Sequence, residues 1–415
     1  MVSRVSRREV LAGIALAPGL LRSAEKLTPG ANDFRSFAPT PPMGWNSWDS
    51  FGPTIREQEA RANAEIMARR LLPFGYDIFT IDIQWYEPGA NGYEYRKGAE
   101  LSLDEWGRLV PADRNTKILG STHRAGEIAD RARVCAWNTD MYGIDMSKPG
   151  AQAYYDSVIR LYASWGVDFI KADDMSRPYL HNAREIHAVR AAIDRCGRPI
   201  ILSLSPGETP LEAAEDVRRS ANLWRISDDF WDTWPALLEQ FARLRRWSPY
   251  RRSGNWPDAD MLPLGVIDLG RRRTRLSAAE QVTLMTLWSI ARSPLIMGGD
   301  LRKLDDSTLQ LLTRDGVLAV NQRSDGNREV RNQAGLAVWQ ARDAGNGAQY
   351  VALFNLRDST PAASSAPVPV ALAELGLRGP ARVRDLWKRA DLDDARETFA
   401  PQIPCHGAGL FRLIT

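Results

Sequence analysis

The segment that decides the fold is Val167–Met175, which reads VDFIKADDM. A Val, Phe and Ile run that ends at Lys-x-Asp is typical of a buried parallel strand that carries charge at its carboxyl end, where parallel sheets place their reactive groups. Because side chains alternate along a strand, Lys171 and Asp173 are predicted to point to the same side. The sequence therefore predicts a cation beside a carboxylate at a strand end.

A second segment, Leu223–Asp232, is built in the same way and reads LWRISDDFWD. It places Arg225 four residues before Asp229. Two carboxylates at separate strand ends suggest hydrolysis of a glycosidic bond. Aspartates at strand ends also serve as helix N-caps or as surface ion-pair partners, and the two segments alone fit either interpretation.

Apolar runs of strand length alternate with amphipathic segments around these two sites. The predicted strands are Met43–Trp48, Tyr76–Asp82, Val167–Asp173, Ile200–Leu204, Leu223–Ser227, Asn255–Leu262 and Pro294–Met297. The predicted helices are Ile55–Leu72, Gly150–Trp165, Ala183–Cys196, Leu211–Arg219, Trp234–Arg246 and Ala278–Ile290. This alternation predicts a parallel α/β sheet, and so many repeats favour a (β/α) barrel, here over residues 38–318.

The pattern changes over residues 319–415, where short apolar runs are separated by Gly, Pro, Asn and Asp. The runs are Gly335–Gln340, Gln349–Asn355, Val368–Leu372, Ala381–Leu386 and Gly409–Leu413. Such spacing predicts an antiparallel β-sandwich as a C-terminal domain. A chain of 415 residues has room for a barrel and a smaller domain.

The composition excludes several classes of function. A net charge of +3 without a basic stripe gives no sign of nucleic-acid binding. Three cysteines without a CxxC motif and four histidines without an HxH or HExxH motif predict no disulfide framework, no metal site and no cofactor. The 14 tryptophans suit stacking on sugar rings, although each one alone is better explained by core packing.

Residues 1–25 have the layout of an export signal. Arg7 and Arg8 precede the apolar stretch Leu11–Leu21, which fits the twin-arginine type. The stretch is too short to act as a stable membrane anchor. A basic amphipathic helix is the alternative. We therefore expect an exported protein, periplasmic or extracellular, that does not associate with the membrane once the signal is removed.

The segments together resemble glycoside hydrolase family 27, the family of α-galactosidases and α-N-acetylgalactosaminidases. The resemblance covers nearly all of the chain after the signal, and it is specific because many blocks occur in order. The blocks are PPMGWNSWDSF (Pro41–Phe51), TIDIQWYEP (Thr80–Pro88), DMYGIDMSKPGAQAYY (Asp140–Tyr155), GVDFIKADDM (Gly166–Met175), LWRISDDFWDTW (Leu223–Trp234), NWPDADMLPLG (Asn255–Gly265) and SPLIMGGDL (Ser293–Leu301).

The resemblance implies that Asp173 is the nucleophile and Asp229 the general acid/base of a retaining mechanism. Lys171 is expected to lower the pKa of Asp173, and desolvation is expected to raise the pKa of Asp229. An ion pair inside the barrel is the alternative role for Asp82 or Arg225 taken alone. The substrate-binding residues that the resemblance implies are Trp45, Asp82, Lys171, Ser205 and Arg225.

The chain also departs from the family pattern. Ala112–Arg133 is short and mostly polar, with only one short helical stretch at Ala125–Arg133, so we expect the third βα unit of the barrel to be missing. Ile83 stands where many relatives have a second aspartate. Ser205 stands where many α-galactosidases have a glutamate close to the 2-hydroxyl, and this smaller residue favours an acetamido group. Met175 replaces the partner of a nearby cysteine, so the family disulfide is not expected.

These observations predict a retaining, exo-acting α-galactosidase that removes terminal α-linked galactose from oligo- or polysaccharides. An α-N-acetylgalactosaminidase or another pyranosidase of the same family is the alternative. An alternative of another class is an inactive or carbohydrate-binding remnant, because losing a strand inside a barrel exposes two edges.

Overall fold

A computed structural model describes residues 33–112, 124–360 and 363–415. The predicted export signal, residues 1–25, lies outside this range and stays a prediction, and residues 113–123 of the short polar segment also lie outside it. Within the described ranges, no helix combines the length and the apolar character that a membrane span needs.

The helices and strands are numbered in chain order. The helices are α1 (Trp48–Phe51), α2 (Glu57–Arg70), α3 (Ala151–Ser164), α4 (Tyr179–Arg195), α5 (Ala214–Ser220), α6 (Trp234–Trp247), α7 (Ala278–Ala291), α8 (Asp306–Leu312) and α9 (Asp315–Arg323). The strands before residue 300 are β1 (Met43–Asn46), β2 (Ile78–Thr80), β3 (Ala129–Val134), β4 (Tyr142–Ile144), β5 (Phe169–Ala172), β6 (Ile201–Leu204), β7 (Leu223–Arg225), β8 (Trp256–Asp258), β9 (Val266–Ile267), β10 (Arg272–Arg273) and β11 (Leu295–Met297).

Seven of the described strands lie parallel and form the predicted barrel. One sheet has the order β11-β1-β2 and the other the order β5-β6-β7-β8. The two sheets meet beyond β8, where the Leu262 amide donates to the Ile296 carbonyl at 2.8 Å. A side chain at Gly44 of β1 would overlap the Ile78 carbonyl, so glycine is what lets β1 and β2 pair closely.

The barrel is open between β2 and β5. Among the described residues, β2 pairs only with β1, and β5 pairs only with β6. Both strands are half-buried along their whole length, whereas β7 and β8 are fully buried. Within the described ranges no strand lies between β2 and β5, and the predicted loss of the third βα unit stays a prediction because residues 113–123 fall outside those ranges.

An antiparallel hairpin of β3 and β4 precedes the fourth barrel unit. The helix predicted at Ala125–Arg133 is wrong, because only Arg124–Glu127 forms a 3₁₀ turn and the chain then enters β3. The buried Glu185 of α4 determines this outcome. Its carboxylate pairs with Arg133 Nη2 at 2.6 Å and accepts from the Ile144 amide at 2.9 Å. A tertiary contact thus overrides a local preference for helix.

Aromatic packing links the two strands that border the opening. Trp85, in the segment that leaves β2, packs edge-on against Tyr162 and Trp165, with ring centroids 6.2 Å apart in both pairs. Tyr162 lies in α3 and Trp165 ends it, just before β5. The chain leaving β2 therefore contacts the chain entering β5, and among the described residues no strand separates them.

The C-terminal region forms the predicted antiparallel sandwich. Its strands are β12 (Ser324–Gln333), β13 (Leu336–Asp343), β14 (Gln349–Asn355), β15 (Ser365–Pro367), β16 (Val370–Ala371), β17 (Ala381–Asp385), β18 (Ala390–Ala395), β19 (Thr398–Phe399), β20 (Gln402–Pro404) and β21 (Gly407–Ile414). The main sheet has the order β12-β13-β14-β21-β17-β18. The predicted boundary between residues 318 and 319 falls inside α9, and the sandwich begins with β12.

Strand β13 lies between the apolar core of the barrel and that of the sandwich and contributes side chains to both. Ala337 and Trp339 belong to the apolar cluster of the barrel and α7, whereas Leu336 and Val338 belong to the cluster inside the sandwich. Alternate residues of a strand face opposite sides, so one strand contributes to both clusters. The sandwich therefore supports the barrel from the side of α7.

Candidate active site

Each of the two predicted catalytic aspartates lies beside the cation that the sequence predicts. Asp173 directly follows β5, and its Oδ1 is 2.9 Å from Lys171 Nζ. Asp229 follows β7, and its Oδ1 is 3.1 Å from Arg225 Nη2. Both pairs lie at the carboxyl ends of their strands, where (β/α) barrels carry their active sites.

Lys171 also connects the two sides of the opening in the barrel. Its Nζ is 2.9 Å from Oδ2 of Asp82, which follows β2. Asp82 accepts further hydrogen bonds from Asn46 Nδ2 at 2.6 Å and from the Ile83 amide at 2.8 Å. Burial raises the pKa of Asp82, but Lys171 and these donors outweigh burial and hold the pKa below its ordinary value. Asp82 is thus an ionised anchor for Lys171.

The expectation that Lys171 sets the pKa of Asp173 is only partly met. Burial raises the pKa of Asp173 to about 6, although Lys171 opposes the shift. The negative charges of Asp82 and Asp229 raise the pKa further. Desolvation therefore outweighs the neighbouring cation, and Asp173 ionises only near neutral pH.

Asp229 lies in a more open environment than expected. Its side chain is 51% exposed, so strong desolvation of this carboxyl is not found. Arg225 beside it is buried and also pairs with Asp260, with 2.6 Å between Nη2 and Oδ2. A fixed arginine and access to solvent suit a group that exchanges protons with a substrate and with water.

Asp260 is a buried site residue that the sequence did not single out. Its Oδ2 accepts from the Phe230 amide at 2.7 Å and so ties the segment after Asp229 to β8. Burial raises the pKa of Asp260 to about 7, with Arg225 lowering it and Asp229 and Asp258 raising it. Its only signal in the sequence is its place in the run PDAD, residues 257–260, which begins within β8 and ends just after it.

The resemblance implies that Ser205 and Trp45 bind the substrate, but both side chains are buried and neither offers a surface to a ligand. Ser205 is buried, and its Oγ accepts from Arg225 Nη1 at 3.3 Å. Trp45 is fully buried, stacks on Phe79 with centroids 4.6 Å apart and donates Nε1 to the Gly299 carbonyl at 2.8 Å. In contrast to the expectation, Trp45 is part of the barrel core beneath the site.

Backbone strain marks the same end of the barrel. Gln84, Asp174 and Asp260 have φ values of 71°, 60° and 84°, and they follow β2, β5 and β8. Non-glycine residues in this left-handed region cost free energy and cluster at functional sites. Their coincidence with the charged residues supports this end of the barrel as the site.

Asp49, in α1, is a further buried carboxyl of the site. Its Oδ2 has no hydrogen-bond partner in the described structure. Burial raises the pKa of Asp49 far above its ordinary value, and the negative charges of Asp260, Asp229 and Asp82 add to the shift. Burial without a hydrogen-bond partner therefore disfavours the charged form of Asp49. Among the described residues, no group of His, Cys, Asp and Glu side chains is arranged to hold a metal ion.

A (β/α) barrel joined to a β-sandwich, with two strand-end carboxylates each beside a cation, defines a carbohydrate-cleaving enzyme of the glycoside hydrolase class. Comparison with known families agrees. The family model described as alpha galactosidase A matches residues 40–323 of this sequence, and the family model of the alpha galactosidase C-terminal beta sandwich domain matches residues 333–413. The chain therefore belongs to the α-galactosidase A family, glycoside hydrolase family 27.

Individual relatives span several substrate preferences. A crystal structure of a family 27 β-L-arabinopyranosidase from Geobacillus stearothermophilus is 43% identical, with a TM-score of 0.87, and covers 92% of this chain and 98% of that one. Alpha-galactosidase 2 of Arabidopsis thaliana is 28% identical over 90% of this chain and 89% of its own length. Alpha-N-acetylgalactosaminidase of Gallus gallus is 27% identical over 78% and 81%.

Proposed function

We propose that this glycoside hydrolase removes a terminal pyranose by a double displacement on two aspartates. The Asp173 carboxylate attacks the anomeric carbon, and Asp229 gives its proton to the departing oxygen. Asp229 then takes a proton from water, and the resulting attack releases the sugar from Asp173. The burial of Asp173 beside Lys171 and the openness of Asp229 beside Arg225 support these roles.

We propose β-L-arabinopyranosides as the preferred substrates. A β-L-arabinopyranoside has the ring of an α-D-galactopyranoside without the exocyclic hydroxymethyl group. The observation that carries the proposal is Ile83, directly after Asp82, which packs against the apolar cluster of Trp48, Met261 and Ile296. An apolar wall offers no hydrogen bond to an exocyclic hydroxyl, and burying that hydroxyl without a partner costs free energy.

An α-galactosidase is the second candidate, because the curated α-galactosidases match along most of the chain. An α-N-acetylgalactosaminidase has less support, since Ser205 is buried behind Arg225 and so opens no space for an acetamido group. A carbohydrate-binding remnant also has less support, because the charged groups on both sides of the opening are in contact through Lys171.

The substrate proposal is tested with 4-nitrophenyl β-L-arabinopyranoside, α-D-galactopyranoside and N-acetyl-α-D-galactosaminide. We expect kcat/KM to be about 10-fold or more higher on the arabinopyranoside than on the galactoside, in the range that one substituent in a pocket supplies. Ile83→Asp should raise the relative rate on the galactoside, whereas Ile83→Val should keep the original preference. A wild type that prefers the galactoside would instead establish an α-galactosidase.

The catalytic proposal is tested with Asp173→Asn. This variant should lose turnover on every aryl glycoside while its circular dichroism spectrum stays that of the wild type. Asp168→Asn is the matched control, because Asp168 precedes β5, is exposed and pairs with Arg198 outside the site. Ordinary turnover by Asp173→Asn would exclude Asp173 as the nucleophile, and sugar binding by a wild type without any turnover would favour the remnant.

A further inference from the structure

Two aromatic side chains, Tyr95 and Trp137, pack against each other beside the residue that follows Asp173, since Trp137 bonds Asp174. Tyr95 comes from the segment that follows β2, and Trp137 comes from the turn between β3 and β4. Their ring centroids are 5.1 Å apart at an interplanar angle of 61°. Neither belongs to a barrel strand, so the site wall at this point is made by connecting segments.

Tyr95 lies within the electrostatic field of the catalytic groups. Burial raises the pKa of its phenol, and Asp173, Asp82 and Asp229 add to the shift while Lys171 opposes it. Its ring stacks on Trp48 with centroids 6.1 Å apart and an interplanar angle of 13°. The ring is therefore fixed, and the phenol keeps its proton at neutral pH.

The Tyr95 hydroxyl is available to a ligand. It forms no hydrogen bond with any residue in the described ranges, and the side chain is only half-buried. A protonated phenol whose ring packs against Trp48 and Trp137, within the electrostatic influence of Asp173 and Asp82, is suited to bond a ring hydroxyl, since a tyrosine presents an apolar face and a polar tip.

Trp137 is fixed to the residue that follows the proposed nucleophile. Its Nε1 donates to Asp174 Oδ1 at 3.0 Å. Asp174 has a φ of 60°, so the turn after Asp173 adopts a strained conformation. The hydrogen bond from Trp137 therefore supports a turn whose geometry sets the direction of the Asp173 carboxylate.

We propose that Tyr95 is a substrate-binding residue, whose hydroxyl bonds a hydroxyl of the pyranose held at Asp173, and that Trp137 is a positioning residue acting through Asp174. The proposal rests on the proposed glycosidase function of Asp173 and Asp229. Together the two aromatic side chains supply the wall that a third barrel strand would otherwise border. The specificity of this site is thus set in part by segments outside the barrel.

The kinetic test compares Tyr95→Phe, Tyr95→Ala and Trp137→Phe with the wild type on its best aryl glycoside. Tyr95→Phe should raise KM about 3- to 10-fold with little change in kcat, as expected for one lost neutral hydrogen bond. Tyr95→Ala should lower kcat/KM further. Trp137→Phe keeps a ring beside Tyr95 but loses the bond to Asp174, so it should lower kcat more than it raises KM. The matched control is Tyr142→Phe, which changes an exposed tyrosine of the same hairpin.

A binding test separates this proposal from the proposed function. L-Arabinose and D-galactose are titrated calorimetrically into Asp173→Asn with and without Tyr95→Phe, whether or not the wild type hydrolyses an aryl glycoside. We expect Tyr95→Phe to weaken the affinity for the better sugar about 3- to 10-fold. Unchanged affinity and unchanged KM in folded Tyr95→Phe and Tyr95→Ala proteins would overturn the role of Tyr95. If Trp137→Phe changed kcat and KM no differently from the control Tyr142→Phe, the positioning role of Trp137 would be overturned.

Discussion

Replacing Lys171 with methionine tests whether one cation holds the two sides of the open barrel together. Lys171 Nζ is 2.9 Å from a carboxylate oxygen of both Asp82 and Asp173. Methionine keeps much of the apolar stem but leaves the two carboxylates without their shared partner. Because Asp82 belongs to the β2 side and Asp173 to the β5 side, the variant removes the charge contact that joins them.

The stability loss of Lys171→Met is expected to be about 3–5 kcal/mol, the typical cost of removing one partner from a buried ion pair. Burial lowers the pKa of Lys171, but Asp173, Asp82 and Asp229 together raise it above its ordinary value. A raised lysine pKa means that its stabilisation is fully present below about pH 10.4, the unfolded value, and is lost as pH rises through the folded value. The wild type therefore keeps this contribution throughout the neutral range.

The stability of the Lys171→Met variant should come closer to that of the wild type as the pH falls. Without Lys171, burial raises the pKa of both carboxyls, so the folded variant takes up protons as the pH falls. Its deficit in the free energy of unfolding should be largest above pH 6 and shrink towards pH 4. The acid limb of kcat/KM, expected near the Asp173 pKa of about 6 in the wild type, should move to higher pH.

The assays are urea unfolding at several pH values and kcat/KM against pH. Lys388→Met is the control, because Lys388 is exposed and its Nζ is 3.7 Å from Asp385. It should change the free energy of unfolding by no more than about 0–1 kcal/mol. A Lys171→Met protein with wild-type stability at pH 7 and an unmoved acid limb would refute the coupling of Asp82 and Asp173 through Lys171.

Two further changes test the packing that supports the site. Gly298→Ala should destabilise the protein by about 1–3 kcal/mol in urea unfolding, because a Cβ there would overlap the buried Asp49 carboxyl, and unchanged stability would contradict this packing. Glu185→Ala should cost about 3–5 kcal/mol and speed proteolytic cleavage within the β3–β4 hairpin, because it removes the carboxylate that pairs with Arg133 and accepts from the Ile144 amide, leaving Arg133 only the neutral Asn182 Oδ1 among its described partners. Cleavage at the wild-type rate would show that Glu185 does not hold the hairpin.

The barrel was predictable because its parallel strands lie within apolar runs of strand length, the pattern typical of strands in parallel sheets. Val167–Asp173 and Asn255–Leu262 were predicted as strands, and β5 and β8 lie inside them. The charge next to each of the two proposed catalytic aspartates was predictable too, because alternation along a strand and a spacing of four residues are local rules. That no strand in the described ranges lies between β2 and β5 agrees with the sequence of Ala112–Arg133, which has no apolar run of strand length.

Features fixed by distant contacts were not predictable. β3 reads ADRARV, without strand alternation, and its conformation depends on Glu185, more than 50 residues further along the chain. Trp45 matches a sugar-binding position by resemblance, but its burial depends on Phe79 and on the Gly299 carbonyl. No local signal distinguishes Tyr95 from the other tyrosines, because its position follows from the opening in the barrel.

The sequence predicts two exposed strand edges beside the third barrel unit, and the described strands at this position are short and half-buried. β2 has only three residues and β5 only four, so few backbone groups lose a strand partner. Both strands are half-buried, so their unpaired groups can bond water instead of remaining orphaned in a dry core. The remaining requirement is to hold Asp173 at its working position. Among the described residues, Lys171 contacts Asp173 itself and Trp137 contacts the next residue, Asp174, so the position of Asp173 depends on these side-chain contacts.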